Sequence, residues 1–211
     1  TYVKFGQIIA SSPGAFGEPL SQEFRSLLDA VPAADRDEVH KLFTEELGDE
    51  PQNLFRHWEE TPFASASIAQ VHYATLHSGQ EVVVKIQRPG IRRRVAADLQ
   101  ILKRFAQLVE VAKLGRRLSA QDVVADFADN LAEELDFRIE AQSMEAWVTH
   151  LQASPLGKNI KVPDVHWDFT SERVLTMERV QGVRIDDAAA IRKQGFDGEE
   201  LVKALLFSTF E

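Results

Sequence analysis

The chain of 211 residues is 44% hydrophobic and 27% charged, a composition that predicts a soluble globular protein with one large domain or two small ones. Its net charge of −9 argues against a general nucleic-acid-binding or anionic-membrane surface. The absence of cysteine excludes disulfides and thiolate metal sites, and the six histidines are too scattered to form a metal-binding pair.

The first third of the chain is predicted to be helical. Residues 1–9 place an apolar stripe on one side and bring Lys4 and Gln7 together on another. Two glycines and two prolines interrupt this pattern between residues 12 and 19. Helical spacing resumes over residues 20–31 and again over residues 33–48, where Gly48 is a candidate C-cap.

The residues after Pro62 change to the alternating pattern of β-strands. Two strands are predicted, at residues 68–73 and 81–87, and a turn at residues 77–79 joins them. Helical periodicity returns from 91 to about 114 and from 119 to about 151, where Ser119 and Asp122 resemble a capping box. An arginine run at residues 92–94 begins the first of these helices, either as a solvated face or as a contact for phosphate or lipid.

The last quarter of the chain is predicted to contain a second strand pair and a final helix. The strands lie near residues 164–168 and 173–177 with a turn at residues 170–172, and the helix begins near Asp197. The predicted order along the chain is helices, a strand pair, two long helices, another strand pair and a final helix. The order predicts an α+β fold in which helices pack on a small antiparallel sheet.

The first strand pair carries features of a phosphate-binding site. The loop that precedes it, residues 64–67, holds only alanine and serine, and small side chains let backbone N–H groups approach phosphate oxygens closely. Lys85 on the returning strand adds a cation, and an ammonium within so apolar a strand needs a partner. The alternative is a lysine that extends from an edge strand into solvent.

Three carboxylates on the helix predicted for residues 119–151 are candidate partners for this lysine. Glu140 follows Asp136 by four residues, so the two share one side of that helix, and Glu134 precedes them. A carboxylate next to a lysine fixes its position and keeps it charged. The alternative is that all three are solvated charges on the helix surface.

Four segments occur in an order and spacing that resemble a known family. They are KFGQ (residues 4–7), ASASIAQVH (64–72), VVVKIQRPG (82–90) and EELDFRIEA (133–141). Together they resemble the UbiB-type, or AarF-like, atypical kinase family, which includes proteins required for ubiquinone biosynthesis. The resemblance covers nearly the whole chain. It implies a protein-kinase-like small lobe with helix C and added N-terminal helices, and a large lobe that is mostly absent.

The resemblance also implies a nucleotide site. Residues 64–67 would form the alanine-rich loop that replaces the kinase glycine-rich loop, Lys85 would bind nucleotide, and Glu140 would be its partner on helix C. The segment VLTMERVQG would be the hinge, with a methionine gatekeeper and two backbone positions facing adenine. The implied ATP-binding residues are Ala64, Ser65, Ala66, Ser67, Val71, Lys85, Glu140, Met177, Glu178 and Val180.

The same resemblance also implies a set of regulatory residues. Lys4, Gly6 and Gln7 would form the family's K-x-G-Q signature, on an added helix that covers the site and hinders protein substrates. Glu134 and Asp136 would be the E-x-D pair that this signature contacts, through an ion pair between Lys4 and Glu134. Alanine in place of glycine narrows the backbone conformations open to the loop, so nucleotide binding of altered preference is expected.

These assignments divide the chain into a helical extension (1–61), a small lobe with inserted helices (62–180) and a hinge exit with the start of a large lobe (181–211). The sole His-x-Asp, at residues 166–168, precedes the hinge and lacks the Asn and Gly of kinase motifs, so it is interpreted as a turn. The catalytic loop and the metal ligands are expected in the missing large lobe. No catalytic or metal-binding residue is therefore assigned, and the chain alone is expected to be inactive.

The longer protein implied by the resemblance is an ATPase or a small-molecule kinase that uses ATP and Mg²⁺ and supports quinone biosynthesis. Its implied partners are nucleotide and an isoprenoid lipid or other biosynthetic proteins, without nucleic acid. A cytoplasmic location is expected, and peripheral membrane contact is left open. The alternative function is a pseudokinase-like module that binds a partner protein or a lipid, because the N-terminal stripe is apolar and the site is truncated.

Overall fold

The computed structural model describes residue 18 and residues 32–111, 119–153, 160–183, 185 and 187–210. The helices are α1 (Arg36–Leu47), α2 (Pro51–Leu54), α3 (Ile91–Val111), α4 (Ala120–Glu134), α5 (Phe137–Ala153), α6 (Ala188–Lys193) and α7 (Gly198–Phe210). The strands are β1 (His57–Trp58), β2 (Ala64–Ser65), β3 (Ala69–Thr75), β4 (Glu81–Gln87) and β5 (Val174–Glu178). The helices predicted at residues 1–9 and 20–31, with Lys4, Gly6 and Gln7, lie outside the described residues.

The five strands form one antiparallel sheet in the order β1-β3-β4-β5, and β2 pairs with β3 nearer its start. In this register Lys85 on β4 lies opposite Val71 on β3 and opposite Leu175 on β5. β4 is therefore an interior strand, which rules out the alternative in which Lys85 extends from an edge strand. The predicted boundary between residues 61 and 62 falls between β1 and β2 of this sheet.

The two faces of the sheet bury separate hydrophobic clusters. Side chains alternate across a strand, and on β4 the side chains of Val82, Val84 and Ile86 are fully buried in a cluster with α1 and with the aromatic residues before β2. The side chains of Lys85 and Gln87 point to the other face, where both contact the segment that joins α4 to α5 or α5 itself. The sheet thus separates the cluster under α1 from the face that carries Lys85 and Gln87.

Local capping explains where several helices begin and end. The Asp35 carboxylate accepts hydrogen bonds from the backbone N–H groups of Asp37 and Glu38 at 3.1 Å, and these bonds start α1. The predicted C-cap is confirmed, because Gly48 has φ +85°, a left-handed conformation that glycine adopts without strain. The Ser119 hydroxyl accepts a hydrogen bond from the backbone N–H of Asp122 at 3.2 Å, as the capping pattern predicted.

The single helix predicted for residues 119–151 is wrong, since the structure breaks it into α4 and α5. The Leu135 carbonyl accepts hydrogen bonds from the side chains of Gln87 and Arg92, both at 2.5 Å, instead of continuing the helix. Asp136 then caps the next helix, because its carboxylate accepts from the backbone N–H of Arg138 at 3.0 Å. The carboxylates that sequence placed on one helix therefore belong to two helices and the segment between them.

The predicted strand near residues 164–168 is also wrong. Only Val165 pairs with the sheet, in an isolated bridge to Met177, and Trp167–Phe169 form a turn of 3₁₀ helix. The Thr170 hydroxyl donates to the carbonyl of His166 at 2.9 Å and stabilises this turn. The sequence also missed four short elements, α2, β1, β2 and α6. Within the described ranges, no helix has both the length and the apolar character needed to cross a membrane.

Buried His72 makes the stability of the fold depend on pH. The imidazole is 2% exposed and stacks on Trp58 with 4.6 Å between ring centroids. Its Nδ1 lies 2.8 Å from the carbonyl of Glu59, and its Nε2 lies 2.7 Å from the amide nitrogen of Gln70. The Nδ1–H therefore donates and Nε2 accepts, which is the neutral ring. Burial lowers the pKa of His72, because a charged imidazolium would lose its hydration there.

We expect the free energy of unfolding to fall as the pH drops below about 6.5, the ordinary histidine pKa, because His72 then binds a proton only in the unfolded chain. The loss approaches roughly 1.4 kcal/mol per pH unit until the folded-state pKa is reached. Urea unfolding at several pH values measures the slope, which His72→Gln should reduce. The control is His150→Gln at an exposed histidine, and an equal slope in wild type and His72→Gln would contradict the prediction.

Candidate nucleotide-binding site

A cavity of about 360 Å³ lies on the face of the sheet that carries Lys85, within the size range of small-molecule sites. Residues from three separate parts of the chain line it, namely the loop after Phe63, the interior of the sheet and the two helices α4 and α5. Its lining consists of Ala64, Ala66, Ser67, Ile68, Ala69, Val71, Lys85, Glu134 and Glu140. Among the residues that the structure describes, the wall is mostly small and apolar, and it carries one cation and two carboxylates.

Lys85 and Glu140 form an ion pair inside this cavity. The Lys85 Nζ lies 2.6 Å from Glu140 Oε2, and the two side chains are 22% and 41% exposed. The Nζ also lies 4.6 Å from the centre of the Phe137 ring, one helical turn before Glu140. The predicted partnership between strand and helix is present, and the alternative in which Glu140 is merely a solvated charge is ruled out.

The loop of small residues forms a tight turn above the lysine. Ala64 pairs with Val71 in the sheet, so it lies on the face that carries Lys85. The backbone N–H of Ala66 donates to the carbonyl of Ala69 at 2.8 Å and closes the turn. The side chains of Ala64, Ala66 and Ser67 all reach the cavity wall. None of them is larger than a hydroxymethyl group, so the backbone of the loop stays accessible from the cavity.

Ser65 does not line the cavity, although the sequence placed it in the nucleotide-binding loop. It pairs with Gln70 in the sheet and therefore points to the opposite face. Its hydroxyl is buried there and has no hydrogen-bond partner among the described residues. A serine in this loop therefore leaves the cavity side of the loop unchanged.

The two residues of the predicted E-x-D pair occupy different environments. Glu134 is the last residue of α4 and lines the cavity. Asp136 lies between the helices and bonds to the guanidinium of Arg138 at 2.7 and 2.9 Å, an interaction that lowers the pKa of its carboxyl. Asp136 is not part of the cavity wall. The predicted ion pair between Glu134 and Lys4 cannot be placed, because Lys4 lies outside the described residues.

The predicted hinge residues lie at the end of β5 and just beyond it, and none of them lines the cavity. Met177 pairs with Val83 on β4, at the end of β5. The backbone N–H of Glu178 donates to the carbonyl of Asp164 at 2.8 Å, and its carboxylate bonds to Lys161, which lowers the pKa of that carboxyl. Val180 is 53% exposed. Binding of adenine by these positions stays a prediction.

Three residues that contribute to the site were missed in the sequence. Ile68 and Ala69 line the cavity, and both follow directly after the loop of small residues. Phe137 is fully buried beneath the Lys85 ammonium. Its position three residues before Glu140 was the available signal, because residues three apart share one side of a helix.

The cavity is suited to binding an anion next to an apolar wall. Lys85 supplies a fixed cation, the loop supplies backbone groups, and Ile68 and Val71 supply apolar surface. Among the residues that the structure describes, no group of three histidine, aspartate or glutamate side chains could hold a metal ion.

A small antiparallel sheet whose interior lysine pairs with a glutamate on a neighbouring helix, next to a loop of small residues, is the arrangement of the small lobe of a kinase-like protein. The chain belongs to the ABC1 atypical kinase-like domain family, whose sequence model matches residues 26–211. The resemblance to UbiB and AarF proteins is thereby confirmed.

Relatives of known sequence support this membership. The Mycobacterium tuberculosis protein Rv0647c is 86% identical over the whole chain, which covers 43% of that protein. The "Probable protein kinase UbiB" of Azotobacter vinelandii is 39% identical over 93% of the chain, which covers 36% of its length. The chain thus spans less than half the length of these relatives.

A solved structure has the same fold. It is the complex of Rv3197 with erythromycin from Mycobacterium tuberculosis, with a TM-score of 0.62 and 30% sequence identity. The match covers 93% of this chain and 48% of that one. The described sheet and helices therefore correspond to part of a larger kinase-like architecture.

Proposed function

We propose that this chain is the ATP-binding part of an atypical kinase or ATPase of the UbiB type. The observation that carries the proposal is the ion pair of 2.6 Å between Lys85 and Glu140 inside a cavity roofed by small residues. In protein kinases the ion pair between the corresponding lysine and glutamate must be in place for phosphoryl transfer. Membership of the UbiB-type kinase-like family supports the same reading.

Each part of the cavity has a distinct task in this proposal. Lys85 donates its N–H groups to phosphate oxygens, and Glu140 holds the ammonium on the cavity side of β4. The backbone of residues 64–67 lies above the phosphates, since its small side chains permit close approach. Ile68, Ala69 and Val71 offer apolar surface to the planar base or the ribose.

Magnesium would neutralise charge on the phosphates during transfer. Its protein ligands are proposed to lie in the remaining residues of the longer protein, where kinases carry the side chains that bind the metal. Glu134 and Glu140 are the two carboxylates at the cavity, and Glu140 is already paired with Lys85. We therefore assign no step of the reaction to magnesium within this chain.

The wider activity belongs to a longer protein of this family. The chain spans less than half of its relatives, and the groups that catalyse transfer are proposed to lie in their remaining residues. The role proposed for that protein is ATP hydrolysis or phosphorylation of a small molecule in quinone biosynthesis. The chain alone is proposed to bind nucleotide weakly and to catalyse nothing. ATP turnover by the purified chain above that of a Lys85→Ala control would contradict this last point.

Thermal unfolding with Mg-ATP tests the binding proposal directly. At a ligand concentration of about a hundred times the Kd, binding should add roughly 2.7 kcal/mol to the free energy of unfolding. AMP without the two outer phosphates is the matched control, and it should give a smaller gain because Lys85 then lacks its main ligand. Equal unfolding curves with and without Mg-ATP would favour the alternative, an interaction module without a nucleotide.

A further inference from the structure

A polar network that is partly buried holds the junction between α4 and α5. The Gln87 side chain is fully buried, and its amide donates to the carbonyl of Leu135 at 2.5 Å and to that of Glu172 at 3.2 Å. The Arg92 guanidinium donates to the same Leu135 carbonyl at 2.5 Å and to the Glu172 carboxylate at 2.5 Å. Its Nε lies 3.3 Å from the Gln87 side-chain oxygen, so the two side chains act as one unit.

The same junction is fixed from its other end. The backbone N–H of Phe137, the first residue of α5, donates to the carbonyl of Glu172 at 3.0 Å. The Glu172 carbonyl thus receives hydrogen bonds from both Gln87 and Phe137. The backbone N–H of Gln87 donates to the carbonyl of Arg173 at 3.0 Å, which ties this segment to β4. The end of α4 and the start of α5 are therefore bound to the strand that carries Lys85.

We propose that Gln87 and Arg92 are positioning residues for the nucleotide site, and we name them the junction brace. The two carboxylates of the cavity flank the braced residues, since Glu134 immediately precedes Leu135 and Glu140 lies one turn after Phe137. By holding the junction, Gln87 and Arg92 thus fix the positions of both carboxylates relative to Lys85. This inference rests on the proposed function, because it concerns how the same site is held.

The chemistry of the brace suits this task. The carbonyl of Leu135 is the C-cap of α4, a group that lacks a helical partner and favours a cation. Arg92 supplies that cation, and Gln87 supplies a neutral donor from the interior of the sheet. The arginine run at residues 92–94 is therefore not uniformly a solvated face, since Arg92 is engaged whereas Arg93 and Arg94 are exposed.

Kinases control activity by moving helix C and its glutamate relative to the strand lysine. In this protein β4 holds α5 and the preceding junction at two points, Glu140 through Lys85 and Leu135 through Gln87. Both side chains leave the same face of the strand, two residues apart. The brace therefore keeps α5 in the position in which the ion pair is closed.

Apolar packing is the competing account of how α5 is held. Phe137 and Ala141 are fully buried in the cluster on this face of the sheet. If packing alone positions α5, loss of the brace lowers stability without changing the geometry of the site. The test must therefore separate binding from stability.

The first arm compares Gln87→Leu with Gln70→Leu. Both glutamines are almost fully buried and occupy neighbouring strands, but Gln70 lies on the opposite face and bonds to Ala34 and His72. Both variants are expected to lose stability. Only Gln87→Leu is expected to bind Mg-ATP about tenfold more weakly, as expected when a buried network next to a site is broken. Equal affinities for the two variants would overturn the proposal.

A second arm uses Arg92→Gln with Arg93→Gln as its control, in case Gln87→Leu does not fold. Arg92→Gln should weaken Mg-ATP binding several-fold, and Arg93→Gln should not. The effect should disappear in a Glu140→Gln background, because the brace acts through the pair that Glu140 makes with Lys85. A loss of the same size in that background would overturn the positioning role.

A third arm does not depend on nucleotide. Hydrogen exchange of the backbone amides of residues 137–141 is expected to quicken in Gln87→Leu and to stay unchanged in Gln70→Leu. If the wild-type chain binds no nucleotide, the proposed function fails. The exchange measurement still tests whether the junction brace holds the start of α5. Unchanged exchange at these amides in Gln87→Leu would overturn the brace even if nucleotide binds.

Discussion

Replacing Lys85 with alanine is expected to weaken Mg-ATP binding by roughly 10- to 100-fold, the range expected when charge-assisted hydrogen bonds to a ligand are lost. Among the described residues of the cavity wall, the variant also leaves Glu134 and Glu140 as the only charged side chains. Two carboxylates would then face the anionic phosphates, so repulsion is expected to add to the lost attraction. Titration of each purified variant with a fluorescent ATP analogue measures the change.

The stability of the Lys85→Ala variant should change much less than its affinity. The pair with Glu140 is partly exposed, at 22% and 41% for the two side chains, and such pairs contribute about 1 kcal/mol or less. The matched control is Lys103→Ala, which removes the same charge from an exposed position on α3. A folded Lys85→Ala chain that binds Mg-ATP as tightly as Lys103→Ala would contradict the proposed role of Lys85.

A Lys85→Arg variant sharpens this test. Arginine keeps the positive charge, but its planar guanidinium does not occupy the position of the Lys85 Nζ, 2.6 Å from Glu140 and 4.6 Å above the Phe137 ring. An affinity between those of wild type and Lys85→Ala would show that geometry and charge both contribute. Affinity equal to that of the wild type would show that charge alone is sufficient.

The sequence predicted the centre of the site because local patterns determine it. A strand with small residues before it and a lysine within it was recognisable, and the structure confirms that β4 pairs with β3 in this way. The pairing of Lys85 with Glu140 followed from the need of a buried cation for a partner, together with the family resemblance. Both features depend on residue type and order along the chain.

Features that depend on contacts between distant residues could not be predicted. The helical pattern of the sequence continues through Leu135. The helix ends there because the Leu135 carbonyl accepts hydrogen bonds from Gln87 and Arg92, which lie more than forty positions earlier in the chain. In the same way, the orientation of Ser65 depends on its pairing with Gln70, which places the serine on the face of the sheet opposite Lys85. The register between strands and the capping of one helix by another element depend on tertiary structure, which local sequence patterns do not specify.

The second large effect is expected at Phe43 and Phe137, two fully buried phenylalanines that lie on opposite faces of the sheet. Phe43 lies in the cluster beneath α1, and Phe137 lies in the cluster next to the cavity. Truncation of either to alanine leaves a large void, so each variant should lose about 3–5 kcal/mol of unfolding free energy. Urea unfolding measures the loss, and a change below about 1 kcal/mol for either variant would show that its cluster does not limit stability.

The paired substitutions Phe43→Leu and Phe137→Leu separate the two faces by function. Both keep an apolar side chain and should fold, with a smaller loss of stability than the alanine variants. Phe137→Leu removes the ring that lies 4.6 Å from the Lys85 Nζ, a cation–π contact of about 0.5–1 kcal/mol at such a site. Mg-ATP affinity should therefore fall by a few-fold in Phe137→Leu and stay unchanged in Phe43→Leu. Equal affinities in the two variants would mean that the ring supports the fold without orienting the lysine.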